Sequence, residues 1–130
     1  WWLIGFSMVA ATTATDSANF FTEVMGYQNY REIPASYFTE DNKMELMKKM
    51  GKGSMGHLGF FVDDMPEAIR YLEGLGYAMD YEHARYDEDG KTIKLIFLQD
   101  EINGFRIHIT VKKAPFYVEN DTEALPVVSK

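Results

Sequence analysis

Three side chains able to do chemistry stand at strand positions in this sequence: Glu45 in MELM, His57 in GHLGFF and His108 in FRIHIT. Each is offset by one from the apolar residues of its own strand. Phe105, Ile107, Ile109 and Val111 alternate with Arg106, His108, Thr110 and Lys112; Leu58, Phe60 and Val62 alternate with His57, Gly59 and Phe61; Met44 and Leu46 alternate with Glu45 and Met47. Successive side chains of a strand point to opposite faces, so the polar members share one face, away from the core. If two sheets curl together on that face, Glu45, His57, Arg106 and His108 collect in a cleft. Two imidazoles and a carboxylate suit a borderline divalent metal such as Zn, Fe(II), Mn or Ni. The carboxylate can also act as a general base, which makes Glu45 the candidate catalytic residue. Each residue also has a structural alternative: a strand-start histidine bonded to backbone, or a carboxylate satisfied by Arg106 or a lysine.

The elements that must position these residues are legible around GHLGFFVDDMPEAIRYLEGLGY, residues 56–77. His57–Val62 is short and rich in β-formers, and Asp63-Asp64 ends it. Asp64 can cap a helix, Pro66 sits in its first turn, and Glu67 stands three residues after the cap. Ala68, Ile69, Leu72 and Leu75 recur at helical spacing, and Gly76 supplies a left-handed stop. A strand over Tyr77–Arg85, a turn at Asp87-Glu88-Asp89-Gly90, a strand over Thr92–Leu98, a turn at Asn103-Gly104 and a strand over Phe105–Lys112 follow. His83 falls in the exposed first of these strands, where no chemical role is expected.

The same order precedes the Gly- and Ser-containing linker of residues 50–55. Leu3–Thr12 reads as a buried strand, and Ser17–Met25 as a helix with Ala18, Phe21, Val24 and Met25 on one face and Gly26 as its stop. Tyr27–Ile33, Ser36–Thr39 and Met44–Lys49 read as strands. The chain is thus expected to be one α+β domain of two βαβββ modules, about 3–50 and 56–113, forming a curled mixed sheet around a cleft, with a tail over 114–130. The helix endings EVMGY and EGLGY carry the repeat in the letters themselves.

Composition narrows the function classes. Twenty acidic against thirteen basic residues give a net charge of −7, which argues against nucleic acid or an anionic membrane surface as partner. No cysteine is present, so disulfides, thiol nucleophiles and thiolate metal sites are excluded, in keeping with a cytoplasmic location. The opening WWLIGFSMVAA is apolar but shorter than the roughly 20 residues that span a bilayer, and reads as a first strand. The first residue is Trp, so a processed or excised piece of a longer chain is expected. Tyr37 and Phe61, with Trp1, Trp2 and Phe38, are candidates for an aromatic wall against a planar or sugar-like ligand, and Arg106 for contact with its oxygens. No phosphate loop, nucleophile elbow or dinucleotide fingerprint occurs.

The βαβββ repeat, with GHLGFFVDDMPEAIRYLEGLGY opening its second half, resembles the vicinal oxygen chelate superfamily of glyoxalase I, bleomycin-resistance proteins and extradiol dioxygenases, over about residues 6–113. That resemblance implies four ligand positions on the cleft, which fall near Ala10 and on Glu45, His57 and His108, and a divalent metal as cofactor. A narrower resemblance joins RYDEDGKTIKLIFLQDEINGFRIHITVKK, MELMKK and GHLGFFVDD to the carboxy-terminal domain of bifunctional 4-hydroxy-2-oxoglutarate / 2-dehydro-3-deoxy-phosphogluconate aldolases, where histidine also stands on the last strand. It implies an accessory or ligand-binding module for a small oxo-acid or sugar acid, working beside an aldolase domain in the parent protein. A (β/α)8 barrel takes roughly 250 residues, so the aldolase itself is not in this chain. Two further readings stay open: a metal-dependent lyase, isomerase or dioxygenase of the same superfamily, and a bleomycin-resistance-type protein that sequesters its ligand. A homodimer is expected in each case.

Overall fold

Strand pairing in the computed structural model, which describes residues 2–9, 14–49, 52–111 and 125–126, joins both halves of the chain in one sheet. The first half runs β1 (Trp2–Val9), α1 (Ala14–Met25), β2 (Asn29–Ile33), β3 (Ser36–Thr39) and β4 (Met44–Met47). The second repeats it as β5 (Gly56–Phe61), α2 (Met65–Gly74), β6 (Arg85–Tyr86), β7 (Ile93–Phe97) and β8 (Phe105–Thr110), and β9 (Leu125–Pro126) follows. The sheet has nine strands in the order β6-β7-β8-β5-β1-β4-β3-β2-β9. β9 lies antiparallel to β2, with Leu125 opposite Tyr30, so part of the tail pairs with that edge.

An approximate internal twofold runs between β1 and β5. These two strands pair antiparallel, with Ser7 opposite His57, while each lies parallel to the last strand of its own half, β4 or β8. Ser7 precedes Gly26 by the same number of residues as His57 precedes Gly76, so the register and the sequence repeat agree. The symmetry sets equivalences across the sheet. Ser7 stands beside Glu45 as His57 stands beside Arg106, and Val9 beside Met47 as Gly59 beside His108. Glu45 therefore answers to Arg106, and Met47 to His108.

The helices begin and stop where local chemistry dictates. The Asp64 carboxylate accepts from the Glu67 amide at 2.8 Å, satisfying one of the first-turn donors of α2, and Pro66 needs no partner there. Gly76 turns the chain at φ +93°, a conformation that costs a side chain dearly but glycine little. Met65, Ala68, Ile69 and Leu72 of α2 are buried against Ile96 and Ile109, with Phe60, Ile107 and Val111 alongside. A second cluster gathers Ala14 and Ala18 of α1 with Tyr30 and Leu46. The predicted helix faces are narrower than expected. Leu75 caps α2 outside its last turn and is exposed, and Val24 and Met25 at the end of α1 are exposed too.

One predicted strand is largely replaced. The expected strand over Tyr77–Arg85 is a 3-10 turn at Tyr81–His83 followed by the two residues of β6. Asp80 causes the difference, because its carboxylate accepts from the His83 amide at 3.3 Å and lies 2.9 Å from His83 Nδ1, bending the backbone out of an extended path.

Candidate functional site

α2 and its core cover one face of the second half, and Glu45, His57 and His108 stand on the other, as strand alternation requires. The curl of the sheet closes this face into a cavity of about 370 Å³ lined by these three and by Phe38, Met47, Leu95 and Phe97, among others. A gradient of exposure gives the cavity a floor and a mouth. His108 is 7% exposed as a residue, and the side chains of His57 and Glu45 are 11% and 19% exposed, whereas those of Lys52 and His83 are 37% and 53% exposed.

On the floor, β4 and β5 bring Glu45 and His57 together from opposite sides of β1. His57 Nε2 lies 3.3 Å from Glu45 Oε2, and the buried Ser36 hydroxyl donates to Glu45 Oε1 at 2.6 Å. The carboxylate is thus held at both oxygens. His57 and His108 stack obliquely, with ring centroids 5.5 Å apart, and both rings lean on Phe97, at 5.7 and 5.0 Å. Phe97 is the cross-strand partner of His108 on β7, so sheet register fixes that wall.

Burial holds the His108 imidazole far below its ordinary pKa, at about 3, and His57 adds to the shift while Glu45 opposes it. His108 is therefore neutral near pH 7. Its Nδ1 is buried without a hydrogen-bond partner, as is Nε of Arg106. An unmet buried polar atom costs about 1–3 kcal/mol, a cost that the rest of the fold offsets.

At the mouth, Asp80 organises the charges. It is 4% exposed and accepts from Arg106 Nη2 at 2.9 Å, in addition to its two contacts with His83, while Lys52 Nζ lies 3.9 Å away. Burial pushes the Asp80 carboxyl up, but the hydrogen bonds from His83 and Arg106 outweigh it and hold the group below the ordinary carboxylate range. The Arg106 guanidinium also sits 5.6 Å from the centroid of the Phe97 ring.

The residues singled out in the sequence divide accordingly. Glu45, His57 and His108 share the cleft. Arg106 stands behind its wall in the Asp80 cluster, rather than pairing with Glu45. Tyr37 faces the other way, against the Ala14–Tyr30–Leu46 core with Lys48 Nζ 4.8 Å above its ring, and its neighbour Phe38 lines the cleft instead. Phe61 pairs with Thr110 on the strand that carries His108 but is outside the cavity lining. Ala10 lies outside the described residues; by register, the first-strand position between Glu45 and His57 belongs to Ser7. Lys52, Arg85 and Phe97 also line the cleft without having been singled out, and His83, expected to stand apart in an exposed strand, joins them; their signal is tertiary, since none forms a motif with the other two histidines.

The donor chemistry of the floor suits a borderline metal, but its arrangement does not fit one as it stands. Glu45 is engaged by Ser36 and His57, and the twofold-related partner of His108 is Met47, whose thioether is not a strong ligand for such an ion. Among the described residues no group of three or more His, Cys, Asp or Glu side chains could hold a metal ion.

Two βαβββ halves sharing one curled sheet over a cleft are a glyoxalase-like fold. Solved structures agree. The chain is similar to a hypothetical protein of Bacillus halodurans C-125, with TM-score 0.59 and 16% identity over 87% of this chain and 95% of that one. It is also similar to the Streptomyces coelicolor methylmalonyl-CoA epimerase, solved in complex with 2-nitronate-propionyl-CoA, with TM-score 0.53 and 14% identity over 85% of this chain and 95% of that one. A further methylmalonyl-CoA epimerase matches with TM-score 0.52 and 14% identity over 82% and 90% of the two chains. At these identities the likeness is one of fold. No protein-family model and no curated protein matches the chain.

Proposed function

We propose that the cleft binds a small oxo-acid or sugar acid, with the apolar part of the ligand against Phe38, Leu95 and Phe97 and its oxygens toward His57 and His108. The observation that carries this reading is the neutral, buried His108 in the wall of the cavity, with Nδ1 lacking a partner. A pocket with apolar walls and a few convergent polar groups is the usual form of a small-molecule site. The oxo-acid is favoured over other ligands by the narrower resemblance to aldolase-associated domains, which remains part of the proposal.

Titration calorimetry with pyruvate, 2-oxobutanoate, 2-oxoglutarate and gluconate tests it. At least one of these acids is expected to bind, and His57→Ala to weaken that binding about tenfold, in keeping with the loss of a hydrogen bond of about 1.4 kcal/mol. Absence of binding by all four acids would sink the proposal.

A second reading, in which the cleft turns its ligand over, is favoured by the contact between Glu45 and His57. Glu45, oriented by Ser36, would take a proton from the carbon next to a bound carbonyl, and His57 would stabilise or pass on the charge. A divalent metal held by Glu45, His57 and His108 would supply a Lewis acid for the carbonyl oxygen, and would require Glu45 to leave its present partners. Calorimetry of tag-free protein with Zn, Ni, Mn and Fe(II) separates the two chemistries. Binding that His57→Ala abolishes supports the metal, and silence with all four ions removes it. Proton exchange of 2-oxobutanoate in D2O that Glu45→Gln abolishes would support the metal-free chemistry.

A further inference from the structure

The mouth of the cleft gathers basic side chains in a protein whose net charge is −7. Lys52, His83 and Arg85 line it, coming from the linker between the halves, the 3-10 turn and β6. Two of the three are anchored to one buried carboxylate: Asp80 lies within 3.9 Å of Lys52 Nζ and 2.9 Å of His83 Nδ1. Asp80 also binds Arg106, whose buried Nε has no partner, so this single acid has three basic side chains around it.

The linker that carries Lys52 is held from its other side. Both oxygens of Glu101 accept from Ser54, from the amide at 2.8 Å and from the hydroxyl at 2.7 Å, and the Met55 amide donates to the Gly104 carbonyl at 2.8 Å. The turn is also too tight for any side chain at Gly53, where a Cβ would lie 1.9 Å from the Gly56 carbonyl oxygen. Lys52 is therefore fixed at the mouth by the linker clamp and by Asp80 together.

We propose that Lys52, His83 and Arg85 form a carboxylate-binding subsite at the mouth of the cleft, with Asp80 as its positioning residue. The inference rests on the oxo-acid reading and assigns the two ends of the ligand: the carboxylate at the mouth, the carbonyl or hydroxyl toward the floor. Basic side chains presented by three separate elements converge on one anionic group more selectively than a run of surface lysines would.

Calorimetry with 2-oxobutanoate and with its uncharged amide, on the unmodified chain and on Lys52→Gln, Arg85→Gln and Asp80→Asn, tests the proposal. The acid is expected to bind at least tenfold more tightly than the amide. Lys52→Gln, at a half-buried position, and Arg85→Gln, at an exposed one, are each expected to remove most of that preference, the acid losing far more affinity than the amide. Asp80→Asn should do the same if it positions the subsite, whereas a purely structural role would weaken acid and amide alike and overturn that assignment. Equal binding of acid and amide by the unmodified chain overturns the subsite while the oxo-acid reading stands. Binding of neither, with pyruvate, 2-oxoglutarate and gluconate silent as well, overturns that reading and the subsite with it. Inorganic phosphate competing as strongly as 2-oxobutanoate would overturn the carboxylate assignment in favour of a general anion site.

Discussion

His108 couples the cleft to stability through its proton. Its folded pKa, about 3, lies below the ordinary 6.5, so the unfolded chain binds the proton more readily. The associated stability is fully present above about pH 6.5 and is lost as pH falls from there toward about 3, by up to about 1.4 kcal/mol for each pH unit. Urea unfolding at pH 7, 6 and 5 is expected to show that slope, and His108→Gln to flatten it. This window lies above the one in which Asp80, also held below its usual value, loses its own contribution. Ser36→Ala is expected to cost about 1 kcal/mol, because it removes the short hydrogen bond to Glu45 from a buried position. Equilibrium unfolding at pH 7 measures it. At this scale the alternation of FRIHIT and GHLGFF was enough to put both histidines on one face. The partners of Glu45 were not legible, since nothing in the spacing of Ser36, Glu45 and His57 says that the sheet register brings them together.

The elements differ in how locally they are specified. α2 carries its own start and stop, and the cap is a measurable part of it: Asp64→Ala is expected to lower stability by about 1 kcal/mol without altering ligand binding, which thermal denaturation and calorimetry together would check. The short strands are paired by register and by the apolar residues they alternate, so β4, β5, β7 and β8 are recognisable before the structure to within a residue or two. Residues 77–86 are the exception. Their composition reads as a strand, but Asp80 is buried and draws His83, Arg106 and Lys52 around it, and the chain takes a 3-10 turn to satisfy that acid. The partners lie on other elements, so no local reading could have found them.

At the scale of the molecule, the internal twofold explains why the cleft exists and why it is uneven. Both halves place a residue of the first strand beside one of the last, but the first half offers Ser7, Glu45 and Met47 where the second offers His57, Arg106 and His108. One half therefore supplies the cleft with a carboxylate and a thioether, the other with two imidazoles, while Arg106 turns to Asp80. The sheet still has a short edge at β6, and α1 leaves Phe20, Val24 and Met25 exposed. A homodimer that covers apolar surface of this kind is the expectation, and sedimentation equilibrium giving twice the mass of 15.0 kDa would support it; a monomer at micromolar concentration would count against it.

The order of elements, the repeat, the helix ends and the division of each strand into an apolar and a polar face follow from neighbouring residues, because caps, turns and alternation act over a few positions of chain. The pairing of β1 with β5, the meeting of Glu45 with His57, the burial that neutralises His108 and the ring of basic side chains on Asp80 depend on residues far apart in sequence. Their energies exist only once the sheet has closed, when separated strands share a face and water has left it.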